Sequence, residues 1–366
     1  MGRLGVLDAW RGVAALFVAM FHLQVIRPDL VPGAPFAGCA AFVDFFFVLS
    51  GFVLARGYFK PNFDAVSFTW RRIARLFPLH LYTLLVFLTL EAGKSLASAQ
   101  GGVAFKRAAF EGLGGASFLD NLFLLQVTGV VWHRISWNTP AWSLSAELAV
   151  NVLVAVLAAS VLRWVMTGVM AVVVAGCLAV LASHLMPISD YGPAALVRCL
   201  YAFGIGFLLF RLFEGKRPRL SWGVASGLEA LALSMVAAAV SVLPVAYWYV
   251  SGGIFAFAVY IFAHEAGVVS AIVRRLRLDF LGTLSYSIYL NHIAVLFVAE
   301  KAFGLVFARG AQPGSTGAVV FCCVFLGSVI VYSWLTYRWI EQPGQRWLLG
   351  LGKRAAVGRR GELAAA

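Results

Sequence analysis

The sequence predicts an all-α membrane protein: a polytopic transmembrane helical bundle of about ten spans, with both termini cytoplasmic. Three observations carry that expectation. Of 366 residues, 61% are hydrophobic and only 12% charged, about half the charge of a typical soluble domain, and the mean hydropathy is +0.87. Ten apolar runs approach or reach the roughly 20 residues that a helix needs to cross about 30 Å of hydrocarbon. Basic residues fall unequally on the two sets of connections between those runs, which orients the chain.

The runs are 7–26, 42–58, 73–92, 143–162, 165–186, 194–213, 222–243, 251–269, 280–300 and 318–337. Glycine and proline inside several of them are tolerated in lipid-embedded helices. The residues from Met1 to Ala9 are too few and too weakly basic for a signal-peptide head, and no small-residue cleavage site follows. The first run is therefore expected to remain as a span. One set of alternate connections holds Arg3, Arg56, Lys60, Arg71, Arg72, Arg75, Arg163, Arg211, the 216–219 cluster, the 274–277 cluster and the basic residues from Arg338 to Arg360. The other holds Arg27, Lys94, Lys106, Arg107, Arg134, Arg198, Lys301 and Arg309. The richer set is expected inside.

The one long connection, 93–142, then lies outside. Within it, 118–132 is apolar but too short to cross, so it is expected at the interface or as a re-entrant segment. Trp132, Trp137 and Trp142 suit an aromatic belt. Residues 1–345 read as one membrane domain and 346–366 as a short basic cytoplasmic tail. Cys39, Cys177, Cys199, Cys322 and Cys323 show no CxxC spacing, so packing is expected, with no metal and no disulfide framework. The net charge of +13 is spread along the chain, which fits orientation and contact with anionic membrane lipids, not a nucleic-acid partner.

Ionisable residues inside such runs are costly and usually mark a working site. His22 is one, about 20 Å along the first span from Asp8. A neutral imidazole is a natural general base near pH 7; its alternative role is a packing hydrogen bond between helices. Asp44 and Glu147 open the second and fourth spans at similar depth. Each is either a carboxylate orienting His22 or an ordinary helix-start acid. Arg71, Arg72 and Arg75 precede the third span, with Arg72 and Arg75 on one helical face. Such a face either anchors the span or grips a phosphorylated cytosolic ligand through guanidinium forks. His264 with Glu265, and His292 in the ninth span, are further intramembrane polar groups, with mutual stabilisation as the simplest role for the first pair.

In order along the chain stand Asp8-x-x-Arg11-Gly12-x-Ala14-Ala15 followed by His22, then Phe46-Phe47-x-Leu49-Ser50-Gly51-Phe52. Arg71-Arg72-x-x-Arg75 with Pro78 follows, then Trp142-Ser143-Leu144-Ser145-x-Glu147, Ser285-Tyr286-x-x-Tyr289-Leu290-x-His292 and Glu341-x-Pro343. Together these segments resemble the acyltransferase 3 family of integral membrane acyltransferases. The resemblance implies an enzyme that takes an acyl group, usually acetyl, from cytosolic acyl-CoA and delivers it to a hydroxyl of an extracytoplasmic or lipid-linked glycan. It maps the family histidine onto His22 and the motif arginines onto Arg11, Arg72 and Arg75. Some family members carry a fused SGNH-type esterase domain; none is visible here, which leaves a separate extracytoplasmic partner protein as an option.

On this reading arginines at the inner mouth hold the CoA phosphates, and His22, oriented by Asp44 or Glu147, removes the acceptor proton. Asn138, Trp137, Trp142, Tyr286 and His292 are expected to line the acceptor side. Ser50 is a conceivable covalent relay, ranked below direct transfer. The rival reading is a proton-coupled transporter or flippase of a glycan or lipid-linked intermediate. Against it, no pair of matching Gly/Pro-interrupted spans occurs in the two halves.

Overall fold

The computed structural model describes residues 4–32, 35–58, 63–100, 105, 107–128, 137–185, 192–215, 218–306 and 315–365. The described residues form an all-α bundle. Its helices are α1 (Gly5–Ile26), α2 (Phe42–Tyr58), α3 (Ala65–Ala99), α4 (Gly115–Leu122), α5 (Ala141–Ser160), α6 (Arg163–Ala182), α7 (Gly192–Gly215), α8 (Trp222–Val242), α9 (Tyr249–Phe262), α10 (Val268–Arg275), α11 (Asp279–Val306), α12 (Ser315–Thr336) and α13 (Gln342–Ala365). Among the described residues nine helical segments are long and apolar enough to cross a membrane, and α9 is a shorter apolar helix.

The eighth expected run breaks where the sequence suggested continuity. After 14 residues, a rise of about 21 Å, α9 ends, and Glu265 adopts a left-handed backbone with φ 51°. The cause is a carboxylate from another helix. Glu229 of α8 accepts hydrogen bonds from the backbone N–H of Gly267 (3.0 Å), Val269 (2.8 Å) and Ser270 (3.2 Å) and from the Ser270 hydroxyl. It satisfies the otherwise orphaned donors at the start of α10. Glu265 is turned to face Val6, whose N–H donates to Oε1 at 2.9 Å and so caps α1. The expected His264–Glu265 pairing is replaced: His264 Nδ1 meets Tyr260 O at 2.8 Å.

Despite its length α9 counts as a crossing. α1 and α11 lie side by side and parallel, with Arg11 on Ser285 near their starts and His22 on His292 further along. Between them run α2, α3, α5, α6, α7, α8 and α9, and an odd number of crossings is needed for α11 to return parallel to α1. Ten passes result, which puts the two ends of the bundle on one side. α3 exceeds its expected 73–92 span: 35 residues rise about 52 Å, starting at Asp64, whose carboxylate accepts from Val66 N and Ser67 N as an N-cap. The boundary drawn at residues 345/346 falls inside continuous α13, which docks on α3 through Trp70 Nε1 donating to Leu348 O at 3.0 Å.

Of the outer connection, α4 and the turn after it pack on the bundle. His80 of α3 meets Asn121 O at 2.6 Å, and Ser145 of α5 donates to Leu124 O at 2.6 Å. Trp132 lies outside the described residues. Two close crossings fix the bundle. A Cβ on Gly282 would stand 2.1 Å from Asp8 O, and one on Gly206 would stand 1.9 Å from Val48 O, so α1 meets α11, and α2 meets α7, backbone to backbone.

Gly282→Val is therefore expected to force α1 from α11 and to destabilise the protein by about 1–3 kcal/mol or more. Thermal unfolding of the detergent-solubilised protein checks this, with Gly253→Val, where a Cβ meets nothing within 4 Å, as the near-neutral control.

Candidate active site

A cavity of about 330 Å³ opens among α1, α2, α3, α5 and α11, and its polar lining includes Arg11, Ser50, Arg72, Arg75, Glu147 and Tyr286. Each side chain arrives there by helical register. Arg72 and Arg75 share one face of α3, whereas Arg71 is exposed on another. The Arg11 guanidinium is fastened to α11: Nε donates to Ser285 Oγ at 2.8 Å and Nη2 to Gly282 O at 2.7 Å, with Asp8 at 3.3 Å. Arg72 Nη2 donates to Glu147 Oε1 at 3.1 Å, and Ser50 Oγ donates to the same oxygen at 2.7 Å.

Two donors in this cavity are left over. Arg72 Nε is buried without a hydrogen-bond partner. Arg75 lines the cavity and makes no hydrogen bond or ion pair to the described residues, although it lies within electrostatic reach of Arg11, Arg72 and Glu341. Arg75 is half-buried, and Arg72 is paired through Nη2 while its Nε is not, so the open guanidinium positions in this cavity have the chemistry of an anion site.

Above the arginines the polar face continues. Tyr286 donates to Leu76 O at 2.6 Å, and Tyr289 and Ser143 hydroxyls meet at 2.9 Å. One turn further, His292 Nε2 stands 3.2 Å from His22 Nδ1. His22 is half-buried and His292 is fully buried behind it. Arg11 and His22 are separated by 11 residues of α1, about 16 Å.

Three expectations are corrected by this geometry. The imidazole facing His22 belongs to His292, whereas the hydrogen bonds described for the two carboxylates lead to arginines. Glu147 serves Arg72 and Ser50, as above. Asp44, 3% exposed, accepts from Arg198 Nε at 2.7 Å and Nη2 at 3.1 Å, and from Ser251 at 3.3 Å. The Arg198 guanidinium also sits 5.5 Å from the Trp142 ring and 5.4 Å from the Trp248 ring, a cation–π clamp. Trp142 is thereby packed inside the bundle instead of facing an acceptor.

Second, Trp137 and Asn138 also serve packing. Trp137 Nε1 donates to Ser117 Oγ at 3.2 Å with Phe118 edge-on at 5.4 Å. Asn138 Nδ2 donates to Leu290 O at 3.0 Å, tying the start of α5 to α11. Third, Tyr286 faces the arginine cavity, and His292 contacts His22 instead of open acceptor space. Glu341 was legible only as part of a motif; it is 2% exposed, accepts from Ser287 Oγ at 2.7 Å and lies within electrostatic reach of Arg75. Among the described residues there is no group of three or more His, Cys, Asp and Glu able to hold a metal ion.

The motif-bearing residues thus converge on two linked centres, one of arginines and one of imidazoles. A family model described as an acyltransferase domain, that of acyltransferase 3, matches residues 4–338. The chain belongs to the acyltransferase 3 family. It is 29% identical, over 97% of its length and 94% of the relative's, to "Acyltransferase MdmB" of Streptomyces mycarofaciens. It is also 32% identical, over 41% of its length and 79% of the relative's, to "Protein 2 in picA locus" of Rhizobium radiobacter. No solved structure matches. The protein is an integral multi-pass membrane acyltransferase, which decides against the transporter reading.

The buried Asp44–Arg198 pair yields a prediction. Asp44→Ala leaves a buried guanidinium uncompensated and is expected to cost about 3–5 kcal/mol of stability, whereas Asp44→Leu with Arg198→Leu recovers most of it. Unfolding midpoints of the three variants in one detergent check the ordering.

Proposed function

We propose that this acyltransferase moves an acyl group, acetyl by the family resemblance, from cytosolic acyl-CoA to a hydroxyl of an extracytoplasmic or lipid-linked glycan. The setting we infer is the bacterial cytoplasmic membrane, with the arginine cavity facing the cytoplasm. The observation that carries this reading is the arginine cavity with its unused donors, joined by a continuous polar face to a half-buried histidine. Arg75 and the Nε of Arg72 have the position and chemistry to take the phosphates of CoA. The acyl-bearing arm then runs toward His22, with the Ser143–Tyr289 hydroxyl pair on the way.

At His22 the imidazole takes the proton from the acceptor hydroxyl as its oxygen attacks the thioester carbonyl. The C–S bond breaks, and the imidazolium returns the proton to the leaving thiolate. The products are the ester, CoA–SH and a neutral histidine, so the step balances without a metal or redox partner. Arg11 is bonded to Gly282 and Ser285, so its part is to hold α1 against α11 beside the donor site. Ser50 donates to a carboxylate and not to an imidazole, which favours direct transfer over a seryl intermediate.

Two variants separate the halves of this reaction. Arg75→Ala is expected to weaken acetyl-CoA binding roughly tenfold to a hundredfold, the worth of a lost charge-assisted contact of about 1.5–3 kcal/mol. His22→Ala is expected to retain binding and lose turnover by roughly a hundredfold to ten-thousandfold. Binding of labelled acetyl-CoA and release of CoA, measured in nanodiscs, check both. Absence of saturable binding by the wild-type protein, with acetyl-CoA and then with longer acyl-CoAs, overturns the donor assignment.

A further inference from the structure

The His22–His292 contact contains more than proximity, because each ring also faces a backbone carbonyl of its own helix. His22 Nδ1 lies 3.0 Å from Val18 O, and His292 Nδ1 lies 3.3 Å from Ile288 O. Both are carbonyls four residues back, able only to accept. The His292 Nε2 to His22 Nδ1 distance is 3.2 Å, with ring centroids 4.9 Å apart.

Only one neutral arrangement leaves no lone pair facing another across these three contacts. If His292 carries its proton on Nδ1, it donates to Ile288 O, and its Nε2 is an acceptor. His22 must then carry its proton on Nδ1 as well, shared between Val18 O and His292 Nε2. The opposite choice, with His292 donating from Nε2, points the bare Nδ1 of His22 at the Val18 carbonyl at 3.0 Å. It also points the bare Nδ1 of His292 at Ile288 O. Two lone-pair contacts replace two hydrogen bonds, inside a bundle where unsatisfied groups are costly.

We infer that His292 is a positioning residue that holds His22 as the Nδ1–H tautomer, so that Nε2 is the nitrogen that accepts the acceptor's proton. The inference rests on the reading of His22 as general base. In the transition state Nε2 takes the proton and the ring becomes an imidazolium. Its Nδ1–H, already directed at His292 Nε2, strengthens as a hydrogen bond without any rotation of either ring. His292 fills the place that a carboxylate takes in other histidine-based sites, but with a neutral partner. Burial suits the division of labour: His292 is fully buried, whereas His22 keeps part of its surface exposed.

The tautomer is measurable without any activity. Long-range ¹H–¹⁵N spectra of ¹⁵N-histidine-labelled full-length protein in nanodiscs, with His22 assigned by its loss in His22→Asn, are expected to show a protonated Nδ1 and a bare Nε2. An Nε2–H tautomer for His22 in the wild-type protein overturns the inference. In His292→Leu the His22 signal is expected to shift toward the Nε2–H form. The same variant should lower kcat by about tenfold or more, the scale on which groups orienting a histidine act, with the KM for acetyl-CoA unchanged.

His292→Gln sets an amide oxygen near the position of Nε2 and is expected to restore both tautomer and kcat. Unchanged tautomer and kcat in His292→Leu overturn the inference. Should the leucine variant fail to fold, the wild-type spectrum and the glutamine variant still decide it. A wild-type Nδ1–H tautomer together with a fully active His22→Ala would instead remove the general-base reading while leaving the tautomer assignment standing.

Discussion

The parallel contact between α1 and α11 is the constraint on which the rest of the molecule depends. Gly12 and Gly282 let the two backbones touch: a Cβ at either would stand within 2.4 Å of the facing helix. At that separation the Arg11 side chain spans the gap to Gly282 O and Ser285, and about three turns further the two imidazoles meet. Because both helices are stiff, the spacing of about 16 Å between arginine and histidine is set by a single interface. Parity follows from the same contact. A short α9 has to serve as a full pass, and Glu229 makes this possible by ending it and starting α10 on the orphan amides of Gly267, Val269 and Ser270.

Burying charge in a bilayer-spanning bundle is expensive, and among the described residues the buried acids Asp44, Glu91 and Glu229 are visibly answered. Asp44 has Arg198 and two tryptophan faces around that arginine. Glu91 accepts from Lys94, Arg107 and the backbone of Phe110. Glu229 takes three amides and a hydroxyl. Against these paired charges, Arg72 keeps a buried Nε without a hydrogen-bond partner and half-buried Arg75 lines the same cavity with no hydrogen bond or ion pair to the described residues; charges left unanswered in a cavity are where function is expected. That contrast, more than the count of arginines, is what supports the proposed donor site over a simple inner-face anchor.

How far the sequence could be read follows from what each signal measures. Hydropathy reports depth and length, so most spans and the embedded position of His22 were accessible. Helical spacing reports azimuth within one helix, which placed Arg72 and Arg75 together; Arg71, expected with them at the cofactor, is instead exposed on another face of α3. Neither reports which helices are neighbours. Asp44, Glu147 and His22 share a depth, and depth alone suggested a cluster. In the fold, Asp44 turns to α7 and Glu147 to α3, and the imidazole is met by a residue 270 positions away. The break after α9 was equally hidden, since its cause is a carboxylate on α8. Trp137 and Trp142 looked like interface aromatics because buried and belt tryptophans have the same local sequence.

One segment was more informative than motif matching made it. In Ser285-Tyr286-Ser287-Ile288-Tyr289-Leu290-Asn291-His292 the polar residues form two stripes, not one. Ser285, Tyr289 and His292, spaced four and three apart, contact Arg11, Ser143 and His22 respectively. Ser287 and Asn291, four apart, contact Glu341 and Thr336 on the opposite side. The first stripe joins the arginine centre to the imidazole centre; the second fastens α11 to the end of α12 and to the helical stretch that carries Glu341. A helix polar on two faces is poorly suited to face lipid, so its place is inside the bundle. On the proposed reaction, with donor and acceptor arriving from opposite sides of the membrane, such a helix has a use: one face would carry the reaction path, and the other keeps that face from turning.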